Sequence, residues 1–466
     1  MKRSTAYLFG FGLLNFVLFM GVFTLLQREG FHKHTLGRVA QNYERTGDWN
    51  NYEIKRTAKP FNALRNDDLV TWDAAIYKCI SERSYAKEGA CYGTVRGAFF
   101  PLFPLLWKAT GLTPIGISIV NYILFMASVA LLLMYLFRSS MTNTLLLYLV
   151  LITLPSVVIF WIPYSESLFM ATFTLAAFGV IQRRYWVYGI GAFAMSMVRP
   201  ASVFVLLALL FTELLVLLFH KDGPAFVKRV VLRSAPWLMG YAGTMAIQRY
   251  SSGSWTTMVD AQAAWSGGVQ VISGISDWSV EGFGLSVFSI FAVCIPLLLT
   301  GTYALVRWSS PAVKRVLEKL EHTGTEYVAV VCAAYLVGIF VFTLLTSGGN
   351  LHSFFRFTLA TPFFYVLVLV FMDHLRTHPI KHALTGYAIG AVLLCWFLLE
   401  VEFGGSRTDF SFFGMYLSMA TGLFLVLFHK FALPIRIALT CVLVLLNTVW
   451  NAYLFNAFLC NGWLFT

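Results

Sequence analysis

The residues best suited to chemistry lie in the stretch from Asn66 to Ser81, which contains the carboxylate of Asp73. Thr71 is a suitable N-cap, and the apolar residues that follow recur at the spacing of one helix face. That face consists of Trp72, Ile76, Cys79 and Ile80. The spacing predicts a short amphipathic helix in the membrane interface, with Trp72 at headgroup level and Asp73 in the first turn.

A carboxylate held at the membrane surface suits a general base acting on a hydroxyl whose reaction partner arrives from the bilayer. The helix dipole favours the ionised form of a side chain in the first turn, such as Asp73. A carboxylate at this position can equally be a plain capping group. The spacing alone does not decide between these two roles.

Three further polar features are expected at the same depth on the outer face of the membrane. Tyr164 and Glu166 lie at one junction between apolar runs, Arg199 lies at the next, and His352 and Arg356 open a later run. A carboxylate and two arginines that converge there would form a site for a lipid-linked phosphate, because the guanidinium group matches phosphate geometry. Taken singly, each arginine also suits an ordinary interfacial anchor.

Other reactive side chains leave their roles open. Glu213 is an acid within an otherwise uninterrupted apolar run, which fits a bundle-facing structural role as well as a functional one. Cys79 and Cys91 could form a disulfide in an outward-facing loop, or could be two small packing residues. The seven cysteines form no CxxC pair and no zinc-like cluster with histidine, so we expect neither a structural metal nor a metal in the site.

The composition places these residues in a membrane protein. Of 466 residues, 58% are hydrophobic and 12% are charged, and the mean hydropathy is +0.71. A soluble domain carries about 25% charged residues, so we expect one integral, all-α membrane domain over residues 1–466. The formal charge of +12 does not indicate nucleic acid, because the basic residues concentrate in one set of short loops.

The apolar runs predict about 11 to 13 transmembrane helices, since a helical span takes about 20 residues. The first, residues 4–27, carries no charge and reads as a retained signal-anchor helix. The others cover residues 114–137, 143–163, 165–182, 185–198, 201–219, 231–248, 284–306, 327–346, 356–375, 383–402, 412–429 and 432–455.

The basic residues fix the predicted orientation. With a cytoplasmic N-terminus, inward connections hold 17 lysines and arginines, and the outward connections outside the exempt first loop hold four. Two long loops, residues 28–113 and 249–283, then face outward. Loops on a rigid scaffold commonly carry binding and catalytic groups, so we expect the chemistry on this outer side, in the first loop.

Four short motifs in this order resemble the PIG-V type of mannosyltransferase, which adds the second mannose in glycosylphosphatidylinositol assembly and has bacterial relatives. They are Trp72-Asp73-Ala74, Ala98-Phe-Phe-Pro101-Leu-Phe-Pro104, Tyr164-Ser-Glu166-Ser-Leu-Phe and Val198-Arg199. Together they cover roughly residues 67–205. Arg356, before an aromatic-rich run, is similar to the later part of the family more weakly.

The resemblance implies a GT-C glycosyltransferase fold that uses a polyprenyl-phosphate sugar donor, such as dolichyl- or undecaprenyl-phosphate mannose, with inversion at the anomeric carbon. It implies that Asp73 is the catalytic base. Trp72, Tyr164, Glu166, Arg199, His352 and Arg356 are then the predicted donor- and substrate-binding residues. No cofactor is implied, and the remaining expected partners are a glycolipid or glycan acceptor and the membrane lipids.

Two departures from the family pattern concern the acceptor more than the donor. Residues 199–202 read Arg-Pro-Ala-Ser where the family has Arg-Ser-Asn-Gly, and the lead-in before Trp72 is longer. The short inward loops favour a bacterial inner membrane over the endoplasmic reticulum.

Other function classes fit the apolar composition as well. The main alternative is a transporter or lipid flippase, which would usually show polar residues at the bilayer midplane and repeated halves. No clear internal repeat occurs in this sequence, and the charges gather at one face. A ligase with a diphosphate donor and a purely structural membrane protein are further alternatives, although the latter leaves the first loop unexplained.

Overall fold

The computed structural model describes residues 2–26, 45–46, 53–54, 65–85, 91, 93–221, 223–266, 324–346, 354–377 and 410–459. The predicted spans 284–306 and 383–402 lie outside the described residues, as do His352 and residues 267–283 of the second predicted outward loop.

The described chain is helical apart from one short antiparallel pair of strands. The strands are β1 (Arg45–Thr46) and β2 (Glu53–Ile54), with Arg45 opposite Ile54. The helices are α1 (Lys2–Leu26), α2 (Asp73–Arg83), α3 (Leu102–Thr110), α4 (Pro114–Leu136), α5 (Met141–Leu151), α6 (Glu166–Ile181), α7 (Tyr185–Ser196), α8 (Ser202–His220), α9 (Gly223–Ser252), α10 (Thr257–Ser266), α11 (Thr325–Thr346), α12 (Phe354–Thr358), α13 (Pro362–Thr377), α14 (Phe410–Leu427) and α15 (Leu433–Leu459). Short 3₁₀ helices cover Asn66–Leu69, Gly93–Ala98, Val157–Phe160 and Phe428–Lys430.

Four of the described helices are long and apolar enough to cross a membrane. They contain the segments Tyr7–Leu26, Pro114–Leu136, Thr325–Thr343 and Leu433–Asn456. Four shorter apolar helical segments accompany them, namely Met141–Leu151, Glu166–Ile181, Ser202–Leu218 and Ala420–Lys430. The protein is therefore an all-α membrane protein, as the composition predicted, whereas the total of 11 to 13 spans stays a prediction.

The chain divides into two compact units. The first comprises Met1–Trp72, Val129–Ile162 and Val368–Thr466, and the second comprises Asp73–Ser128 and Pro163–Leu367. In the first unit α15 packs against α1, α5 and α14. Aromatic rings fill the contact between α1 and α15, where Phe19 and Phe23 both meet the ring of Phe455 edge-on.

The first unit corrects one predicted span. Residues 143–163 do not form a single helix, because α5 ends at Leu151 and only a short 3₁₀ helix follows. Nδ2 of Asn451 donates to the carbonyl oxygens of Thr153 and Leu154, at 2.9 and 3.2 Å. A side chain on α15 thus binds the carbonyl oxygens just before Pro155, a residue that lacks an N–H and cannot continue the helix.

In the second unit, α6 and α7 approach closely along glycines. A Cβ at Gly191 would lie 2.5 Å from the backbone nitrogen of Ala176, so only glycine fits there.

Ion pairs join α8 to α9, and a hydrogen bond joins α8 to α11. Glu213, fully buried on α8, accepts from Nε of Arg229 at 3.0 Å, from Arg233, and from the Tyr327 hydroxyl at 2.9 Å. These contacts give Glu213 the bundle-facing structural role.

Candidate functional site

The helix α2 places Asp73 in its first turn. The predicted helix is confirmed and its apolar face is mostly correct, since Ile76 and Ile80 are buried, whereas Trp72 and Cys79 are partly buried. The predicted cap is wrong: the buried hydroxyl of Thr71 has no hydrogen-bond partner among the described residues.

Instead of a side-chain cap, a left-handed residue opens this helix. Trp72 has a φ of 52°, a conformation that is costly for a bulky side chain. Such strain persists only where the surroundings enforce it, and it tends to occur at functional sites. The turn at Trp72 directs the chain into α2 immediately before Asp73.

Packing fixes α2 within the second unit. Tyr77, one turn after Asp73, meets the rings of Phe99 and Phe103 edge-on at centroid distances of 5.0 and 4.9 Å. A disulfide joins Cys79 of α2 to Cys91, which decides between the two roles left open for these cysteines. The catalytic candidate therefore stands on a helix held by both a ring cluster and a covalent bond.

Glu166 begins α6 and lies beside α2. The hydroxyl groups of Tyr77 and Ser165 are hydrogen-bonded at 2.7 Å, which ties the residue before Glu166 to α2. Nδ2 of Asn121 on α4 donates to the carbonyl oxygen of Tyr164 at 2.8 Å. The Glu166 side chain is only 1% exposed, so its charge requires partners within the protein.

Two arginines supply those partners on a single oxygen of Glu166. Nε and Nη2 of Arg356 lie 2.9 and 2.8 Å from Oε1, and Nη1 of Arg199 lies 2.8 Å from the same atom. Arg199 precedes α8, where the Ser202 hydroxyl donates to its carbonyl oxygen at 2.6 Å. Arg356 lies on the short helix α12, with its guanidinium 5.0 Å from the centre of the Tyr164 ring.

Arg356 also reaches Asp73. Its Nη2 lies 2.5 Å from Oδ2 of Asp73, so this one nitrogen contacts both carboxylates. The four charged residues form a chain of alternating sign, from Asp73 through Arg356 and Glu166 to Arg199. Two carboxylates and two guanidinium groups give this charge cluster no net charge.

The cluster keeps groups available for a ligand. The side chains of Asp73 and Arg199 are 12% and 13% exposed. Arg356 uses Nε and Nη2 in its contacts with described residues, and Arg199 uses Nη1. Among the described residues, no contact is made by Nη1 of Arg356, by Nε and Nη2 of Arg199, or by Oδ1 of Asp73.

Two tyrosines beside the cluster stay neutral. Burial raises the pKa of Tyr77 above its usual value, and the negative charges of Glu166 and Asp73 add to that effect. The pKa of Tyr164 is also raised, by burial first and then by Asp73. Both phenols therefore act as hydrogen-bonding groups rather than bases.

The structure brings together most of the residues that the sequence predicted for the site. Asp73, Tyr164, Glu166, Arg199 and Arg356 come together, Trp72 adjoins them through the chain, and His352 lies outside the described residues. Sequence reasoning missed Tyr77 and Ser165, although Tyr77 stands four residues after Asp73 and so faces the same side of α2. The described residues contain no group of three His, Cys, Asp or Glu side chains that could hold a metal ion.

Comparison of the chain with protein-family models, with curated proteins and with solved structures gave no match. The function is therefore argued from the charge cluster itself.

Proposed function

We propose that this protein is an inverting glycosyltransferase, most simply a mannosyltransferase, of the GT-C type. It moves a sugar from a polyprenyl-phosphate donor to an acceptor hydroxyl, on a glycolipid or glycan, at the outer face of the membrane. The observation that carries the proposal is the convergence of Asp73 with Glu166, Arg199 and Arg356, which arrive from separate parts of the chain.

Asp73 supports the base-catalysed half of the reaction. Its Oδ2 is held by Arg356, which fixes the orientation of the carboxylate and leaves Oδ1 to accept the proton of the acceptor hydroxyl. As that proton leaves, the acceptor oxygen forms a bond to the anomeric carbon of the sugar. The attack comes from the face opposite the phosphate, so the configuration inverts.

The two arginines support the second half of the reaction, which is the departure of the lipid phosphate. The bond from the anomeric carbon to the phosphate oxygen breaks, and its electron pair leaves on the lipid phosphate. The N–H groups of Arg199 and Arg356 that make no contact among the described residues can bind this developing charge in a site of low polarity, where such contacts stabilise the transition state strongly. Glu166 holds the two guanidinium groups in place for that role.

The membrane setting supports a lipid-linked donor. Nucleotide sugars are made in the cytoplasm and are not supplied to a bacterial periplasm, so an outward-facing transferase there needs a sugar activated on a lipid that reaches the site through the bilayer. A disulfide on α2 suits the oxidising compartment beyond the membrane, where the basic residues predict this loop to lie. We assign the protein to a bacterial inner membrane, with the endoplasmic reticulum as the alternative.

The test is transfer by the purified protein in lipid nanodiscs, supplied with a panel of polyprenyl-phosphate sugars and glycolipid acceptors. We expect Asp73→Asn to lower the transfer rate by about 10² to 10⁴, the usual contribution of a general base. Asp260→Asn is the matched control, because Asp260 is an exposed carboxylate on α10 and should leave the rate unchanged. Full activity in Asp73→Asn would exclude Asp73 as the base.

A further inference from the structure

Arg356 contacts the proposed proton acceptor directly. Its Nη2 lies against both Asp73 and Glu166, and Nη1, on the same guanidinium plane, makes no contact among the described residues. A planar guanidinium can bind several oxygens at once in fixed geometry. Whatever alters the charge of Asp73 therefore alters how much of the Arg356 charge is available to a ligand.

The charge cluster is neutral before the reaction, with two carboxylates facing two guanidinium groups. A buried cation whose partner loses its charge becomes costly unless another anion replaces that partner. The Arg356 side chain is 9% exposed, so water compensates for the lost partner poorly.

We propose that Arg356 transfers its electrostatic pairing from Asp73 to the leaving phosphate during sugar transfer, an inference that rests on the proposed function. The acceptor proton moves to Oδ1 of Asp73, which becomes a neutral carboxylic acid. In the same step the phosphodiester becomes a phosphomonoester and gains one negative charge. The negative charge lost at Asp73 reappears on the phosphate, and Arg356 stays paired throughout.

Arg199 does not have this role. Its Nη1 contacts Glu166, which keeps its charge in the proposed reaction, and no contact joins it to Asp73 among the described residues. Arg199 therefore binds the phosphate with the same strength before and after proton transfer. Of these two arginines, Arg356 is the one that responds to the protonation of the base, so it couples proton acceptance to departure of the phosphate.

This coupling can be measured by binding alone. Asn at position 73 has about the size of the protonated carboxylic acid and, like that acid, carries no charge. Asp73→Asn therefore reproduces the state after proton transfer. We expect this variant to bind a polyprenyl monophosphate, the leaving group, about tenfold more tightly than the unaltered protein, within the usual range of coupling between sites. Titration calorimetry in nanodiscs gives both affinities without any turnover.

Two backgrounds identify the residue responsible. In protein that carries Arg356→Gln, adding Asp73→Asn should no longer tighten binding of the polyprenyl monophosphate. In protein that carries Arg199→Gln, binding should be weaker overall, but Asp73→Asn should still tighten it. Equal binding by the unaltered protein and Asp73→Asn, or an undiminished gain in Arg356→Gln, would overturn the proposal. If Asp73→Asn does not fold, Asp73→Ser, which also removes the charge, replaces it under the same criteria.

The binding and transfer experiments separate the two ideas. If the protein transfers sugar but Asp73→Asn does not tighten phosphate binding, the proposed glycosyltransferase activity is retained and the coupling role of Arg356 is refuted. The affinity gain without transfer from any lipid-linked sugar shows a phosphate site coupled to Asp73 and refutes the glycosyltransferase.

Discussion

Replacing Glu166 with glutamine should destabilise the second unit strongly, because this side chain forms ion pairs with two arginines at once. Oε1 of Glu166 receives two nitrogens of Arg356 and one of Arg199, all within 2.9 Å, and the side chain is 1% exposed. Glutamine keeps the size of the side chain and one acceptor oxygen. The substitution therefore removes charge while changing the packing little.

The expected cost follows from the lost counterion. Glutamine can still accept hydrogen bonds from the two guanidinium groups, but it carries no charge to offset theirs. Removing one partner of a buried ion pair costs about 3–5 kcal/mol in proteins, because the remaining charge has no counterion. We therefore expect Glu166→Gln to lower the free energy of unfolding by about 3–5 kcal/mol.

The assay is reversible unfolding in mixed detergent micelles, with Arg199→Gln as the comparison. Arg199 makes one ion-pair contact and is 13% exposed, so its loss should cost about 1–2 kcal/mol. The double substitution should cost less than the sum of the two, since Glu166→Gln then leaves fewer unpaired charges. A cost below about 1 kcal/mol for Glu166→Gln, or strict additivity, would refute the charge-pairing argument.

Two further variants test how α2 and its surroundings are held. Replacing Cys79 and Cys91 by serine should lower the free energy of unfolding by about 3 kcal/mol, from the entropy of a loop of this length. An unchanged thermal midpoint on adding reductant to the native protein would contradict it. Gly97→Ala should cost about 1–3 kcal/mol, because the new Cβ would lie 2.4 Å from a backbone oxygen of Thr257 at the start of α10. Gly338→Ala, in open space on α11, should instead be neutral or stabilising, and equal effects of the two would refute the steric account.

Residue type and depth in the membrane were enough to predict most of the charge cluster. Glu166, Arg199 and Arg356 are predicted because charged groups near lipid need partners, and Asp73 because it lies in the first turn of an interfacial helix. The structure pairs each of them with another member. Which member pairs with which could not be predicted. Asp73 and Arg356 are separated by 283 positions, and only the packing of whole helices brings such residues together.

The errors have the same origin. The run 143–163 is mostly apolar, yet the helix ends before Pro155, and a donor on Asn451, 298 residues after Thr153, binds the chain there. The side chain of Thr71 is of the right type for a cap, but the left-handed turn at Trp72 places the start of α2 elsewhere. Local propensity fixes neither feature, because tertiary partners supply the energy that decides them.

Two buried clusters in the second unit each contain one glutamate and two arginines, and their positions in the helices separate a structural role from a chemical one. Glu213 and its two arginines lie inside α8 and α9, where a tyrosine hydroxyl completes the contacts and the groups join helix to helix. Asp73 and Glu166 are instead the first residues of their helices, and Arg199 lies three residues before the start of α8. Helix ends carry unpaired backbone groups and adjoin loops, so they are where a ligand can enter a packed bundle. A second carboxylate, partly exposed, is also present only in the cluster at the helix ends, as far as the described residues extend. These differences, more than the shared presence of buried charge, direct the search for activity to Asp73.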